Sequence, residues 1–254
     1  MSAQVFVAQR PLRLLLDCVV LYGLLALLAV ICLSFSVVAV FAYWLLPRGW
    51  GRTAGRFGIM GGFRLFSWAL MFTGMYKLDL RAIDSLRGGP PVILAPNHPS
   101  LIDALLILTR HPNLACVMKA QLLGNIFLGP GARLARYIRS DLPRAMIREA
   151  IADLRDGGVL LLFPEGTRTI RPPVNPLKAS IGVIAKHAGV PVQVAIIETD
   201  SAFLGKGWSL FRTPSMPITY RVRLGRRFDP PTDVAAFMAA LEQEYRRELG
   251  VRPN

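Results

Sequence analysis

Pro91-Val92-Ile93-Leu94-Ala95-Pro96-Asn97-His98-Pro99-Ser100-Leu101-Ile102-Asp103 is the stretch that decides how this chain is read. Pro91–Pro96 is a short apolar run between prolines, the pattern of a buried strand. Leu101–Arg110 (LIDALLILTR) reads as a helix, so Asn97–Ser100 is a strand-to-helix turn. His98 and Asp103 are five apart, and on one continuous helix they would point about 140° away from each other. They meet only if His98 sits in the turn and Asp103 on the first helical turns, a break that Pro99 enforces. An imidazole oriented by a carboxylate is a general base poised near neutral pH. The plainer alternative is a packing His and a capping Asp.

The same grammar recurs downstream. Val159–Phe163 (VLLLF) is a strand, and Phe163-Pro164-Glu165-Gly166-Thr167-Arg168 follows it. Ligand sites in open α/β sheets lie beyond the carboxyl ends of strands. Arg168 offers a planar fork to a phosphate and Thr167 a hydroxyl. Gly166 permits close backbone approach, and Glu165 can orient the Arg or bind a hydroxyl. The alternative is a surface turn with a Glu–Arg pair. Further strands are expected at Leu114–Met118, Val190–Ile197 and Ile218–Leu224. Helices are expected at Gln121–Arg136 (broken by Gly), Pro143–Asp156 (ended by Gly157-Gly158), Lys178–His187, and from a Thr232 or Asp233 cap to about Leu249. This alternation predicts an α/β fold, a mixed sheet flanked by helices.

Upstream the character changes. Cys18–Leu46 holds no charged residue over 29 positions, about 43 Å of helix against a hydrocarbon layer of ~30 Å. A cleavable signal has a shorter apolar core. A second apolar stretch, Ile59–Tyr76, is interrupted by Gly61, Gly62 and Arg64; it reads as a helix at the membrane surface, or as a core helix of the body. The expected organisation is a membrane-anchoring region of apolar helices at 1–76 and a globular domain at 77–254. Arg10 and Arg13 precede the apolar segment, whereas Arg48, Arg52 and Arg56 follow it. The positive-inside rule then puts the body on the cytoplasmic face of the cell membrane. Segment length favours one tilted span over a bent pair of helices.

Composition narrows the function classes. Thirty Lys and Arg against 16 Asp and Glu give a net charge of +14, with 53% hydrophobic residues. That excludes a disordered chain and implies an anionic partner: lipid headgroups, a phosphorylated substrate or nucleic acid. No nucleic-acid module appears and the basic residues are dispersed, so no nucleic-acid partner is expected. Cys18, Cys32 and Cys116 are odd in number and lack C-x-x-C spacing, so neither a disulfide framework nor a metal site is expected. Among the remaining candidates, Ser100 lacks a G-x-S-x-G turn and reads as a helix cap. His111 reads as structural, His187 at a helix C-terminus is assigned no role, and Cys116 reads as core. Arg221, Arg223, Arg226 and Arg227 read either as a solvated strand face or as a contact for anionic lipid or donor phosphates.

Taken together, N-H-x-x-x-x-D at 97–103 and F-P-E-G-T-R at 163–168 resemble the first and third blocks of the glycerolipid acyltransferases, the family that includes 1-acylglycerol-3-phosphate acyltransferase. Lys119-Ala120-Gln121-Leu122 resembles the family's K-x-E-L stretch, with Gln121 replacing the acid. Tyr137-Ile138-Arg139 resembles its short strand ending in Arg, and Lys178 its downstream lysine. Val190-Pro191-Val192 resembles its fourth block, with Val194 where a second proline is usual. The resemblance covers roughly Pro91–Ile197. It implies a membrane-bound O-acyltransferase. His98, oriented by Asp103, would deprotonate the free hydroxyl of a lysophospholipid, which would attack the thioester of acyl-CoA or acyl-carrier protein. No cofactor beyond that co-substrate is implied. Arg139, Arg168, Lys119 and Lys178 would hold the acceptor phosphate, beside Glu165, Gly166 and Thr167. Lysophosphatidic acid is the acceptor expected by default. The alternatives are lyso-ornithine lipid, a lipid of a specialised pathway, or a lipid-binding relative without turnover.

Overall fold

The structure is a computed structural model and describes residues 11–209 and 212–250. Met1 and Arg10 lie outside the described residues, as does the Arg13 side chain, so the charges on that flank carry no structural account.

Seven strands form one mixed sheet: β1 (Tyr76–Asp79), β2 (Ile93–Pro96), β3 (Leu114–Met118), β4 (Ile138–Arg139), β5 (Val159–Leu161), β6 (Val192–Thr199) and β7 (Ile218–Phe228), in the order β1-β7-β6-β2-β5-β3-β4. Only the β6–β7 pair is antiparallel. β2, β5, β3 and β4 therefore present their carboxyl ends along one edge. Side chains alternate across the sheet. Leu94 faces one core with Cys116, Leu161 and Ile197; Ile93 and Ala95 face the other with Ala115, Leu160 and Ile196. Both faces are covered, so these strands read as unbroken apolar runs.

Helices α1 (Pro11–Leu45), α2 (Arg48–Phe72) and α3 (Asp103–Leu108) contribute to the first core; α6 (Pro143–Arg155), α7 (Ser180–Ala188) and α8 (Val234–Gly250) contribute to the second. The stretch read as one broken helix is two short ones, α4 (Ala120–Leu123) and α5 (Gly129–Leu134). β1 and the 3₁₀ turn Arg81–Leu86 went unread, because YKLD alternates too briefly to stand out from its surroundings. Asp233 caps α8 through the Ala235 amide, 2.8 Å away.

α1 and α2 differ most from expectation. Leu46 and Pro47 join them, and Phe35 packs on Gly58 while Ile31 packs on Gly62, so the helices run antiparallel as a hairpin. The apolar segment itself is one unbroken helix, as its length favoured, and α2 folds back along it. α1 remains long and apolar enough to cross a membrane. The basic flank of α2 is turned inward. Arg56 is 2% exposed; it donates to Asp153 Oδ1 at 2.5 Å, Asn113 Oδ1 at 2.7 Å and the Ala135 carbonyl at 3.1 Å. Arg52 pairs with Asp156 at 2.7 Å. Two of the three arginines counted for topology thus clamp α2 to the body. The other side of α2 stays open: Trp50, Phe57, Leu65, Trp68 and Phe72 recur at helical spacing and are exposed.

Candidate active site

β2 and β5 are adjacent and parallel. The chain leaves β2 through α3 on one face of the sheet and leaves β5 through α7 on the other. The two connections diverge there and open a crevice at the strand ends, the topological switch point of an open α/β sheet. His98 follows β2, and Phe163–Arg168 follow β5.

The imidazole and carboxylate do meet. His98 Nδ1 lies 2.8 Å from Asp103 Oδ2, with Asp103 completely buried and the His98 side chain 15% exposed. The Ser100 amide donates to Asp103 Oδ2 at 2.8 Å, and the Tyr220 hydroxyl donates to Oδ1 at 2.8 Å. An ionised Asp103 only accepts, so His98 carries its proton on Nδ1 and leaves Nε2 as the basic nitrogen. Nε2 has no hydrogen-bond partner among the described residues. Burial pushes the Asp103 carboxyl above its ordinary value, opposed by the hydrogen bonds from His98, Ser100 and Tyr220. Burial likewise raises the Tyr220 hydroxyl, with the Asp103 charge adding to it, so it stays a donor.

The segment after β5 builds the cradle for this pair. The Phe163 ring stacks on the His98 ring with centroids 3.9 Å apart. Glu165 is 3% exposed. It accepts from the His98 amide at 3.1 Å, the Thr169 hydroxyl at 2.7 Å and the Asn175 amide at 2.8 Å. The Thr169 amide donates to the His98 carbonyl at 2.7 Å. Glu165 thus fastens one turn to the other and does not orient Arg168. Gly166 has φ +66°, and a Cβ there would lie 2.7 Å from Lys178 Nζ, so the lysine crosses this turn closely. Thr167 is half-buried beside it.

The other basic candidates have partners of their own or stand in solvent. Arg168 donates to the carbonyls of Leu204 and Gly205, at 2.7 and 3.0 Å. Arg139 forks onto Asp141, at 2.7 and 3.1 Å; it ends β4, three strand spacings or about 14 Å from β2. Lys119 is exposed at the end of β3. Ser100 is no helix cap: its hydroxyl donates to the Phe203 carbonyl at 2.8 Å. His111 is buried and its Nδ1 accepts from the Asn113 amide. Burial pushes the Cys116 thiol up to about 12. Arg223 pairs with Glu198 and Glu248. Tyr220 was missed, because only the antiparallel register of β7 brings it under α3; its inward phase with Ile218 and Val222 was the available signal. Among the described residues no cluster of His, Cys, Asp and Glu could hold a metal.

Beside the His98 turn, an apolar cavity of about 340 Å³ runs between the hairpin and the body. Leu24, Ile31 and Phe35 of α1, Phe66 of α2 and Leu101 and Ile102 of the turn are among its walls.

Comparison with known proteins agrees with this architecture. The family model described as Acyltransferase matches residues 56–198, more than half of the chain. The chain is 26% identical over 216 residues to 1-acyl-sn-glycerol-3-phosphate acyltransferase beta of Homo sapiens, covering 78% of this chain and 72% of that one. It is 27% identical over 219 residues to the 1-acyl-sn-glycerol-3-phosphate acyltransferase of Limnanthes douglasii, covering 82% and 73%. Among solved structures, the 1-acyl-sn-glycerophosphate acyltransferase of Thermotoga maritima superposes with a TM-score of 0.70 at 22% identity, over 97% of this chain and 100% of that one.

Proposed function

The chain belongs to the acyltransferase family, and from that premise we propose that it moves an acyl chain from acyl-CoA or acyl-carrier protein to the free hydroxyl of a lysophospholipid, first among them 1-acylglycerol 3-phosphate. The observation that carries the reading is the His98 Nδ1–Asp103 Oδ2 contact at 2.8 Å, with Nε2 left free. In this mechanism Nε2 takes the proton from the acceptor hydroxyl as its oxygen forms a bond to the thioester carbonyl carbon. The tetrahedral intermediate then collapses, the carbon–sulfur bond breaks, and the imidazolium returns the proton to the leaving thiolate. Asp103 holds the tautomer and stabilises the transient imidazolium. Lys178 and Lys119 serve the acceptor phosphate, with Arg139 reaching it from the sheet edge. The apolar cavity takes the acyl chain, as its largely hydrocarbon walls suit.

The reaction takes place at a bilayer. The exposed apolar faces of α1 and α2, including Phe41, Trp44, Trp50 and Trp68, lie in the membrane with aromatic rings at its interface. The body faces the cytoplasm, where the thioester donors and the free thiol of Cys116 are at home.

The test is an assay of the purified full chain in detergent-dispersed lipid, with a panel of lysolipids, both donor types and products read by mass. The expected result is phosphatidic acid from 1-acylglycerol 3-phosphate, and a fall of about 10³-fold or more for His98→Ala with lipid binding retained. Equal turnover by His98→Ala would remove this mechanism. Exclusive use of another lysolipid, such as lyso-ornithine lipid, would replace the acceptor.

A further inference from the structure

Asp103 holds the His98 ring at one edge, and a single hydrogen bond leaves a planar ring free to tilt about it. A second hold lies on its face. The Phe163 ring stacks there with centroids 3.9 Å apart and 23° between the planes, closer than the spacing of about 4.5–7 Å usual for aromatic pairs. Phe163 is itself fixed from both sides along the chain. Just before it, the Leu162 amide donates to the Leu94 carbonyl at 3.1 Å and extends the contact between β5 and β2. Just after it, the Phe163 carbonyl accepts from the Gly166 amide at 3.0 Å and closes a turn through the buried Pro164. A residue that precedes proline is kept out of the helical region. The ring is half-buried and packs on the core to which α1, α2 and α3 contribute. With one face of the imidazole covered and Nδ1 on Asp103, Nε2 has no hydrogen-bond partner among the described residues.

We infer that Phe163 is a positioning residue for acyl transfer: its ring fixes the plane of the His98 imidazole, so that the lone pair of Nε2 stays aimed at the acceptor hydroxyl, and its π face supports the charge once Nε2 has taken the proton. From the proposed function this takes only that His98 is the general base. The lone pair lies in the ring plane, so a tilt misdirects it even when the Asp103 contact survives. A cation within about 6 Å of a ring centroid is attracted to the face. The imidazolium forms only as the proton moves, so that attraction acts on the transition state more than on the resting enzyme. An aliphatic side chain of similar bulk supplies neither effect.

The experiment compares Phe163→Leu, which fills much of the same space without a flat face, with Phe163→Tyr, which keeps the ring. The first readout needs no turnover. The chain has three histidines, so a carbon–proton NMR spectrum of the full chain in detergent micelles, with the histidine rings labelled, carries three sets of signals. The set missing from His98→Ala belongs to His98. Protons held over an aromatic face are shifted upfield. The His98 ring protons are therefore expected upfield in wild type and Phe163→Tyr, and without that shift in Phe163→Leu. Unchanged His98 signals in Phe163→Leu overturn the inference, because the rings are then not stacked in solution. Kinetics give the second readout. Phe163→Leu is expected to lower kcat about three- to tenfold, the range of an aromatic pair, with the KM of donor and acceptor within about twofold of wild type. Phe163→Tyr is expected to recover most of the rate. An unchanged kcat in Phe163→Leu, a loss carried by KM, or an equal loss in Phe163→Tyr overturns the inference, since ring contact is then not what the reaction uses. Phe163→Met takes the place of Phe163→Leu, with the same expectations, if that variant folds poorly. If the wild type acylates nothing, the functional reading fails, while the spectrum still decides whether Phe163 holds the imidazole.

Discussion

The ends of β2 and β5 and the ends of β3 and β4 share one edge of the sheet but are built in opposite ways. At β2 and β5 almost every polar atom is buried and bonded: Asp103 accepts three hydrogen bonds, Glu165 three more, and the His98 ring is stacked on Phe163. At β3 and β4 the cations are exposed, Lys119 standing in solvent and Arg139 paired with its neighbour Asp141. The difference follows from what each end has to do. A proton transfer needs its donor and acceptor held within a few tenths of an ångström, so that end is preorganised. A headgroup that arrives from a fluid bilayer is met more readily by long side chains that reorganise around it, and exposed cations supply long-range attraction without a desolvation penalty.

If this contrast holds, substitutions at the buried end act on kcat and those at the exposed end on KM. The largest effect is expected for Asp103→Asn. The amide keeps the shape but can donate a proton toward Nδ1, so the wrong nitrogen of His98 becomes the base. A loss of about 10³- to 10⁴-fold in kcat with little change in KM is the expected result of steady-state kinetics. A loss expressed in KM instead would dissolve the contrast. Tyr220→Phe comes next. It removes one of three donors to Asp103 and leaves the ring to pack, so kcat falls about fivefold, which corresponds to about 1 kcal/mol, while chain-length preference stays as in wild type. A pH–rate profile identifies the cause: a positioning role through Asp103 moves the profile along the pH axis, and a purely structural role does not.

Tyr220 also marks how far the sequence could be followed. The strand-turn-helix around His98 was legible because Pro99 forbids a continuous helix and the strand and helix periods change on either side of it. The mixed sheet was legible from short apolar runs. Two kinds of fact were not. Partners from distant strands, such as Tyr220 on Asp103 or Glu165 on the His98 amide, depend on strand order, which no local pattern encodes. Arginines were also hard to place, because an Arg looks the same in sequence whether it faces solvent or protein acceptors. Arg56 is turned inward onto Asp153, and Nη1 of Arg168 meets two carbonyls. The hairpin was hidden for a related reason. A glycine-rich face on α2 marks where another helix approaches closely, but Gly58 and Gly62 do not say which helix it is.

Smaller effects are expected at the exposed end. Lys119→Gln is expected to raise the acceptor KM about two- to fivefold with kcat unchanged, the loss of one screened charge contact. A fall in kcat would place Lys119 among the preorganised groups.

The mildest change distinguishes the two ends most sharply, because it should improve the enzyme. The Arg139 guanidinium beside Asp141 holds that carboxyl below its usual range, and the arginine is held above its own by the same pair. A carboxyl with a depressed folded value contributes to stability above its unfolded value, and that contribution is lost only as the pH falls through the folded one. Through the neutral and mildly acidic range Asp141 is therefore ionised, the pair stays closed, and an incoming phosphate has to displace it. Acidification frees Arg139 only below the ordinary carboxylate range, so the wild-type acceptor KM should not change for this reason between about pH 8 and 5. Asp141→Asn opens the pair at every pH and leaves the guanidinium unclaimed. If Arg139 serves the headgroup, the KM for 1-acylglycerol 3-phosphate falls about twofold at low ionic strength, the gain shrinks as salt screens it, and phosphate-free acceptors show neither effect. An unchanged KM would mean that the phosphate never comes within reach of β4.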